Sequence, residues 1–293
     1  MIKKKAYVIG TNVSTSMSPI IFQYWFDKYD IDFAEYGYKE IKEENFDKEI
    51  KNILEEEGLV GLNITTPYKE KIFSYIDNKQ SLIKAKKNLK KKPINFVTIK
   101  KPNDPNYSGF KICGENTDTI GFHKSLYTNA TSLYCYGSQD CCAVVLGYGG
   151  AAKAVIDTLL VDSNFKRIIV FNRTFSKLKH LKETLNNEIE SYKITDLHKH
   201  IKSAQLIVNT APVNLLDHQT KWDINPNCVG FDIVYRPWEG TGFLKNFKKN
   251  NRIQGIHMLV HQAAPCFKEW FGVEPETNDA ELFKTLYEKI NEK

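Results

Sequence analysis

The apolar and polar positions of this chain fall into two series, each alternating short apolar runs with helical patterns. In the first series Ala6–Gly10 reads as a buried strand, and Ser18-Pro19 opens an apolar helix running to about Tyr29. Serine at a cap followed by proline at the first helical position is a strong helix start. Ala34–Ile41 reads as a strand, Asn45–Glu57 as a helix stopped by Gly58, and Leu59–Thr65 as a third strand. Pro67 then marks another helix start. A β-α alternation of this kind predicts a mostly parallel sheet with helices on its faces.

Ile94–Lys100 and Phe110–Cys113 read as an antiparallel pair joined by the turn-rich KPNDPNYSG. The basic run Lys84–Lys92 reads as a solvated helix end, Thr119–Leu126 as a connecting helix and Tyr127–Asp140 as polar loop. The second series starts at Cys142. It predicts a strand at Ala143–Leu146, a helix at Gly150–Leu160, a strand at Arg167–Phe171 and a helix from Phe175. Further strands are expected at Leu206–Asn209 and Val229–Val234, and closing helices at His257–Trp270 and Ala280–Asn291. The expected class is α/β, in two units.

The length, 293 residues, is enough for two ordinary cores, and 42% hydrophobic with 26% charged residues is the composition of a globular protein. The net charge of +6 raises the question of nucleic acid. Only four of the basic residues are arginine (Arg167, Arg173, Arg236, Arg252), and base and phosphate readers lean on arginine forks. No nucleic-acid partner is expected, and the charge instead helps draw in an anionic small molecule. No run approaches the length of a membrane span. None of the six cysteines forms a C-x-x-C pair or a zinc spacing, so no metal, reduced thiols and a cytoplasmic location are expected.

The segment AVVLGYGGAAKAV carries G-x-G-x-x-A at Gly147, Gly149 and Ala152, between an expected strand and an expected helix. That context is what a dinucleotide loop requires: a tight turn, close approach to a pyrophosphate, and a helix N-terminus whose N–H groups face the phosphates. The next strand ends in Asn172, Arg173 and Thr174, with Lys177 one turn on. An NAD site places an acidic residue there for the ribose 2′-hydroxyl, whereas cations suit a 2′-phosphate, so NADP(H) is favoured.

Four polar clusters lie in the first series. Ser16 and Ser18 follow the first strand and can receive a carboxylate, although Ser18 also reads as a helix cap. Thr65 and Lys69 follow the third strand, and Lys69 falls in the first turn of the helix expected after Pro67. The dipole disfavours a cation there, which suits a residue that must give up a proton. Asn95 is a polar amide in an apolar strand, and Asp118 opens the connecting helix, as a cap or as a partner for Lys69.

Together these residues resemble the shikimate dehydrogenase family. GTNVSTSMSP, NITTPYK, PIN, NTD, GYGGAAKA, NRT, FDIVYRPWEGTGFL and QGIHMLVHQAA match its motifs in order over nearly the whole chain. Thr15 stands where the family commonly has His, and Phe96 where it commonly has Thr. The resemblance implies a substrate domain at 1–117 and 255–293, a Rossmann-type NADP-binding domain at 118–254, and a cleft between them. It implies that Ser16 and Ser18 bind the shikimate carboxylate, that Thr65, Asn95, Asp118 and Gln262 hold its hydroxyls, and that Lys69 with Asp118 handles the proton. It assigns Gly147, Gly149, Gly150, Ala151, Asn172, Arg173, Thr174 and Lys177 to the dinucleotide, and Tyr235, Gly255 and Met258 to the nicotinamide side. The implied activity is reversible NADPH-dependent reduction of 3-dehydroshikimate to shikimate by a monomer or homodimer. A quinate-preferring dehydrogenase and a non-catalytic ligand sensor are the alternatives.

Overall fold

The computed structural model describes residues 2–78, 93–100, 110–130, 133, 141–162, 164–178, 181, 189–211, 222–237 and 242–292. The expected turn at 101–109 and the basic run Lys84–Lys92 lie outside them. The chain divides into two compact units, Met1–Thr117 with Gln262–Lys289 and Asp118–His261 with Ile290–Lys293.

The first unit is built on a five-stranded sheet of order β2-β1-β3-β4-β5. Its strands are β1 (Lys4–Gly10), β2 (Ala34–Glu40), β3 (Leu59–Ile64), β4 (Phe96–Lys100) and β5 (Lys111–Glu115). Pairing is parallel across β2-β1-β3 and antiparallel across β3-β4-β5, so the sheet is mixed rather than mostly parallel. The chain between β4 and β5 is too short for the crossover that a parallel pair needs.

Alternation along each strand sorts side chains to two cores. Ile9, Leu62, Ile64 and Val97 face Phe46, Ile50 and Ile53 of α2 (Phe46–Leu54), together with Tyr68 and Ile72. The other face is aromatic and is covered by α1 (Ser18–Lys28) and α5 (Gly255–Phe271). There Phe22 stacks on Tyr36 at 3.8 Å, and Trp25, Phe26, Phe267 and Phe271 close around it. Trp270 lies directly against Gly61 of β3, where any Cβ would meet its Nε1 at 1.9 Å. Asp279 accepts from the N–H groups of Glu281 and Leu282 at the start of α6 (Ala280–Asn291), and binds Lys28 at 2.5 Å and Tyr24 at 2.7 Å.

The second unit carries a six-stranded sheet of order β11-β10-β9-β6-β7-β8, parallel throughout. Its strands are β6 (Cys142–Leu146), β7 (Arg167–Asn172), β8 (Ile189–Lys193), β9 (Leu206–Asn209), β10 (Val229–Asp232) and β11 (Arg252–Gln254). This is the doubly wound dinucleotide order, with its switch point between β6 and β9. Apolar clusters cover both faces, one including Phe122 of α3 (Asp118–Asn129) and Val155 of α4 (Gly150–Val161), the other Leu197, Ile201 and Phe243. The sequence pattern gave no sign of β8 or β11. β8 is an edge strand with alternate residues uncovered, where Glu190 pairs with Arg167 of β7, and β11 has only three residues.

Several local expectations differ. The cap of α1 is Met17, not Ser18, and the cap residue's own side chain makes no hydrogen bond to the helix end. No α-helix follows Pro67: Lys69 sits in a turn ahead of a five-residue 3-10 segment, Lys71–Tyr75, so the helix-dipole argument for it lapses. Phe175–Leu178 is likewise 3-10. α3 runs on to Asn129, into the stretch read as loop. Cys113, Cys142, Cys228 and Cys266 are free thiols, but Cys141 is disulfide-bonded, against the expectation of fully reduced cysteines. Sequence spacing carried no sign of that bond, because the folded chain, not a short motif, decides which sulfurs meet.

Two measurements test this packing. Gly61→Ala should lower stability by roughly 3 kcal/mol, the upper range for overpacking a core, because a rigid ring rather than a flexible chain end opposes the new methyl; an unchanged melting temperature would contradict the Trp270 contact. His257 and His261 of α5 are both pushed down to about 4, chiefly by burial, and His261 has neither ring nitrogen hydrogen-bonded. Histidines that protonate more readily in the unfolded chain stabilise the fold fully above about pH 6.5, and that stability drains away as pH falls toward 4. Between pH 7.5 and 5, His261 alone should account for about 2 kcal/mol of lost stability, and His261→Leu should flatten the melting temperature across that window.

Candidate functional site

The polar residues of the first unit gather at the carboxyl ends of β1 and β3 and the amino end of β4. At the end of β1 the chain turns at Val13–Ser16, closed by the Ser16 N–H to the Val13 carbonyl at 3.0 Å. Ser16 Oγ accepts from the N–H of Ser18 at 3.2 Å, which leaves its own proton to donate. Ser18 is buried at the first residue of α1 and is not spent on capping it. The two serines are therefore brought together at a helix N-terminus where Ser16 takes one N–H and the cap residue supplies no side-chain bond, a setting in which a carboxylate is well received.

Thr65 follows β3, with its N–H on the Ile9 carbonyl at 2.9 Å. Tyr68 anchors the turn that carries Lys69: its hydroxyl donates to the Ile41 carbonyl at 2.5 Å and its ring stacks on Phe46 at 4.3 Å. Lys69 is half-buried, and its carbonyl accepts from the Ile94 N–H at 2.8 Å, fixing the turn beside the segment that holds Asn95.

Asn95 is buried, with both ends of its amide hydrogen-bonded. Its Oδ1 accepts from the Thr117 N–H at 2.7 Å, and its Nδ2 donates to Thr117 Oγ1 and to Gln262 Oε1, both at 3.1 Å. Gln262 thus takes part through its carbonyl oxygen, with its NH2 end turned away from Asn95. One layer deeper, Asn63 Nδ2 donates to Cys266 Sγ at 3.3 Å and Asn63 Oδ1 accepts from the Tyr36 hydroxyl at 2.7 Å. Thr117, Asn63 and Cys266 were not singled out from the sequence. Thr117 sits inside the NTD motif beside Asp118, and a lone threonine, asparagine or cysteine has no periodic signature. Buried polar groups with partners on three separate chain segments cost little to bury and are rigid.

Asp118 belongs to the second unit as the first residue of α3, and is buried. The remaining expected residues of that unit surround the sheet's switch point. Gly147 takes φ +103°, and a Cβ there would meet Thr210 Oγ1 at 2.6 Å, so this turn admits only glycine. Thr210 Oγ1 in turn donates to the Leu146 carbonyl at 2.7 Å. Gly149 caps α4 with no side-chain bond, and a Cβ on it would meet nothing within 4 Å, so the loop face at Gly149, Gly150 and Ala151 is open where a pyrophosphate would lie. Arg173, Thr174 and Lys177 are exposed after β7, and Asn172 Nδ2 donates to the Thr174 carbonyl at 3.0 Å, shaping that corner. The residues present fit a dinucleotide carrying a 2′-phosphate: an uncapped helix start for the pyrophosphate, and two exposed cations with no acidic side chain in the Asn172–Thr174 corner.

Asp232, fully buried at the end of β10, accepts from Asn209 Nδ2 at 2.9 Å and from the Val234 N–H at 3.1 Å. It ties β9 to the segment carrying half-buried Tyr235. Gly255 opens α5 against the Ile233 carbonyl, and Met258 is 7% exposed in the apolar cluster beneath. Among the described residues no group of three or more His, Cys, Asp or Glu side chains could hold a metal ion, and no helix is long and apolar enough to cross a membrane.

Comparison with known proteins gives the same two-part picture. A family model described as the shikimate dehydrogenase substrate binding domain matches residues 8–87. One described as shikimate / quinate 5-dehydrogenase matches residues 132–221. The NADP(+) shikimate dehydrogenase of Bartonella henselae is 31% identical over 99% of this chain and 94% of its own length. That of Roseobacter denitrificans is 31% identical over 94% of this chain and 95% of its own. Among solved structures, the shikimate dehydrogenase of Aquifex aeolicus superposes with a TM-score of 0.74 at 28% identity, covering 97% of each chain. A quinate dehydrogenase of Corynebacterium glutamicum, at 20% identity and a TM-score of 0.76, shares the fold. With serine pair, lysine turn, buried amide set and dinucleotide loop all in place, and relatives of this identity along nearly its whole length, the chain belongs to the shikimate dehydrogenase family.

Proposed function

We propose that the chain interconverts 3-dehydroshikimate and shikimate with NADP(H), using the residues assembled above. The observation that carries the reading is the buried set Asn95–Thr117–Gln262: amides locked by one another present a polar floor suited to the hydroxyls of a small polyol. Ser16 and Ser18 take the carboxylate, Ser16 through the hydroxyl proton that its bond from Ser18 leaves available. Thr65, Asn95, Gln262 and Asp118 hold ring hydroxyls, and the fixed amides orient the ring so that one carbon presents its oxygen to Lys69.

Lys69 supplies the proton to the oxygen of the reacting carbonyl in the direction of reduction and takes it back in oxidation. Asp118 is the second ionisable group assigned to the reacting end. Bound NADPH supplies the hydride. Gly147, Gly149, Gly150 and Ala151 receive its pyrophosphate, and Asn172, Arg173, Thr174 and Lys177 its adenosine 2′-phosphate. Tyr235, Gly255 and Met258 flank the nicotinamide. The domain assignment follows these roles: 1–117 and 255–293 for substrate, 118–254 for cofactor. Both reactants are anions that do not cross a membrane unaided, and the cytoplasm is the proposed location.

The direct test is the appearance of NADPH absorbance when shikimate is added with NADP. A clear preference for quinate with NAD would overturn the assignment. Lys69→Ala should cut turnover by roughly a thousandfold, the middle of the range for losing a positioned proton donor, while shikimate still binds in a fluorescence titration. Unchanged turnover would remove Lys69 from its role. Arg173→Ala should raise the KM for NADP by about tenfold or more, the worth of one charge-assisted hydrogen bond, and leave the rate measured with NAD unchanged.

A further inference from the structure

Glu40 is the last residue of β2, held in register opposite Gly10 of β1. Its side chain is exposed, yet one carboxylate oxygen, Oε1, accepts three hydrogen bonds from a neighbouring loop. The donors are the N–H of Val13 at 2.9 Å, the N–H of Ser14 at 2.9 Å and the hydroxyl of Ser14 at 2.7 Å. Two successive backbone N–H groups converging on one anion form a nest. These N–H groups belong to the first two residues of the turn Val13–Ser16, whose fourth residue is Ser16. The nest and the serine pair are thus opposite ends of one four-residue turn, and the sheet holds Glu40 on the nest.

An unfilled nest at this place would be a second anion site one turn away from the serines. It would compete for the substrate's carboxylate, and the turn would lose its tether to the sheet. We propose that Glu40 is a positioning residue for substrate binding: its carboxylate occupies the nest of the Val13–Ser16 turn, fixing Ser16 and leaving the serine pair as the one receptor for the substrate's carboxylate. The hydrogen bonds from Ser14, backbone first and hydroxyl second, hold the Glu40 carboxyl below the usual carboxylate range, so it is ionised throughout the neutral range. The inference rests on the assignment of Ser16 and Ser18 to the carboxylate.

The test is steady-state kinetics of the full chain with four variants. In Glu40→Ala the KM for shikimate should rise by about tenfold, the worth of a charge-assisted tether, with the KM for NADP unchanged. Inorganic sulfate, harmless to the parent protein at the same concentration, should become a competitive inhibitor against shikimate as it enters the vacated nest. Glu40→Gln retains an acceptor oxygen and should restore both properties most of the way. Glu35→Ala, on the same strand, should alter neither. Ser16→Ala reports on the underlying assignment and should raise the shikimate KM by itself. A raised KM in Ser16→Ala with neither a raised KM nor sulfate inhibition in Glu40→Ala would overturn the role of Glu40 alone. If Ser16→Ala left KM unmoved, the carboxylate assignment would fall and the role of Glu40 with it. A Glu40→Ala protein that loses melting temperature and binds both reactants more weakly, without rescue in Glu40→Gln, would mark Glu40 as merely structural.

Discussion

The first unit depends on how α5 lies along β3. Four residues of helix advance about 6 Å and two residues of strand about 6.6 Å, so side chains four apart on the helix keep step with side chains two apart on the strand. Trp270 meets Gly61, and four residues earlier Cys266 meets Asn63. Four residues earlier again Gln262 meets Asn95, which lies beside the end of β3 through the Ile64 N–H on its carbonyl. The missing side chain at Gly61 lets the indole down onto the backbone, and that close approach sets the height of the whole helix. Gln262 reaches Asn95 at hydrogen-bonding distance because Trp270, eight residues away, has nothing under it but main chain.

Along this one row the chemistry grades from apolar to polar. Trp270 packs among Phe22, Tyr36 and Phe96. Cys266 is a transitional group, small and weakly polar, bonded to Asn63. Gln262 stands in a set of amides and hydroxyls, with Asn95 and Thr117, whose hydrogen bonds run from 2.7 to 3.3 Å. A rigid aromatic block at one end therefore supports a polar floor at the other, so that the proposed site for a small polyol has fixed partners. The second unit uses the same economy with different parts: Gly147 admits the close approach of Thr210, and Thr210 ties the ends of β6 and β9 together at the switch point.

Much of this was legible in the sequence. Apolar runs located nine of the strands to within a few residues, and α6 was read at its observed bounds, because burial imposes a period that a chain cannot hide. The dinucleotide loop was legible for a related reason: Gly147 needs a positive φ, and a conformational demand of that kind restricts the residue itself. What misled was local chemistry with two outlets. Ser-Pro at the head of α1 fits a cap, yet the cap is Met17, and the Ser18 N–H donates to Ser16 Oγ. Pro67 fits a helix start, yet the chain makes a turn and a short 3-10 segment, since the burial of Tyr68 against Phe46 and Ile41 outweighs local propensity.

The sequence by itself determined the class of fold and the family, and it carries the proposal for the cofactor corner, because each is written in contiguous residues: periodic apolar runs, a glycine loop, and Asn172-Arg173-Thr174 after a strand. Only the tertiary structure decided that Asn95, Thr117 and Gln262 form one buried set, that Cys266 lies beneath it, and that Glu40 holds the serine turn. These residues and their partners are separated by between 22 and 203 residues, and no local pattern encodes which distant donor will face which acceptor. That is settled by strand register and by the depth to which Trp270 lets α5 descend.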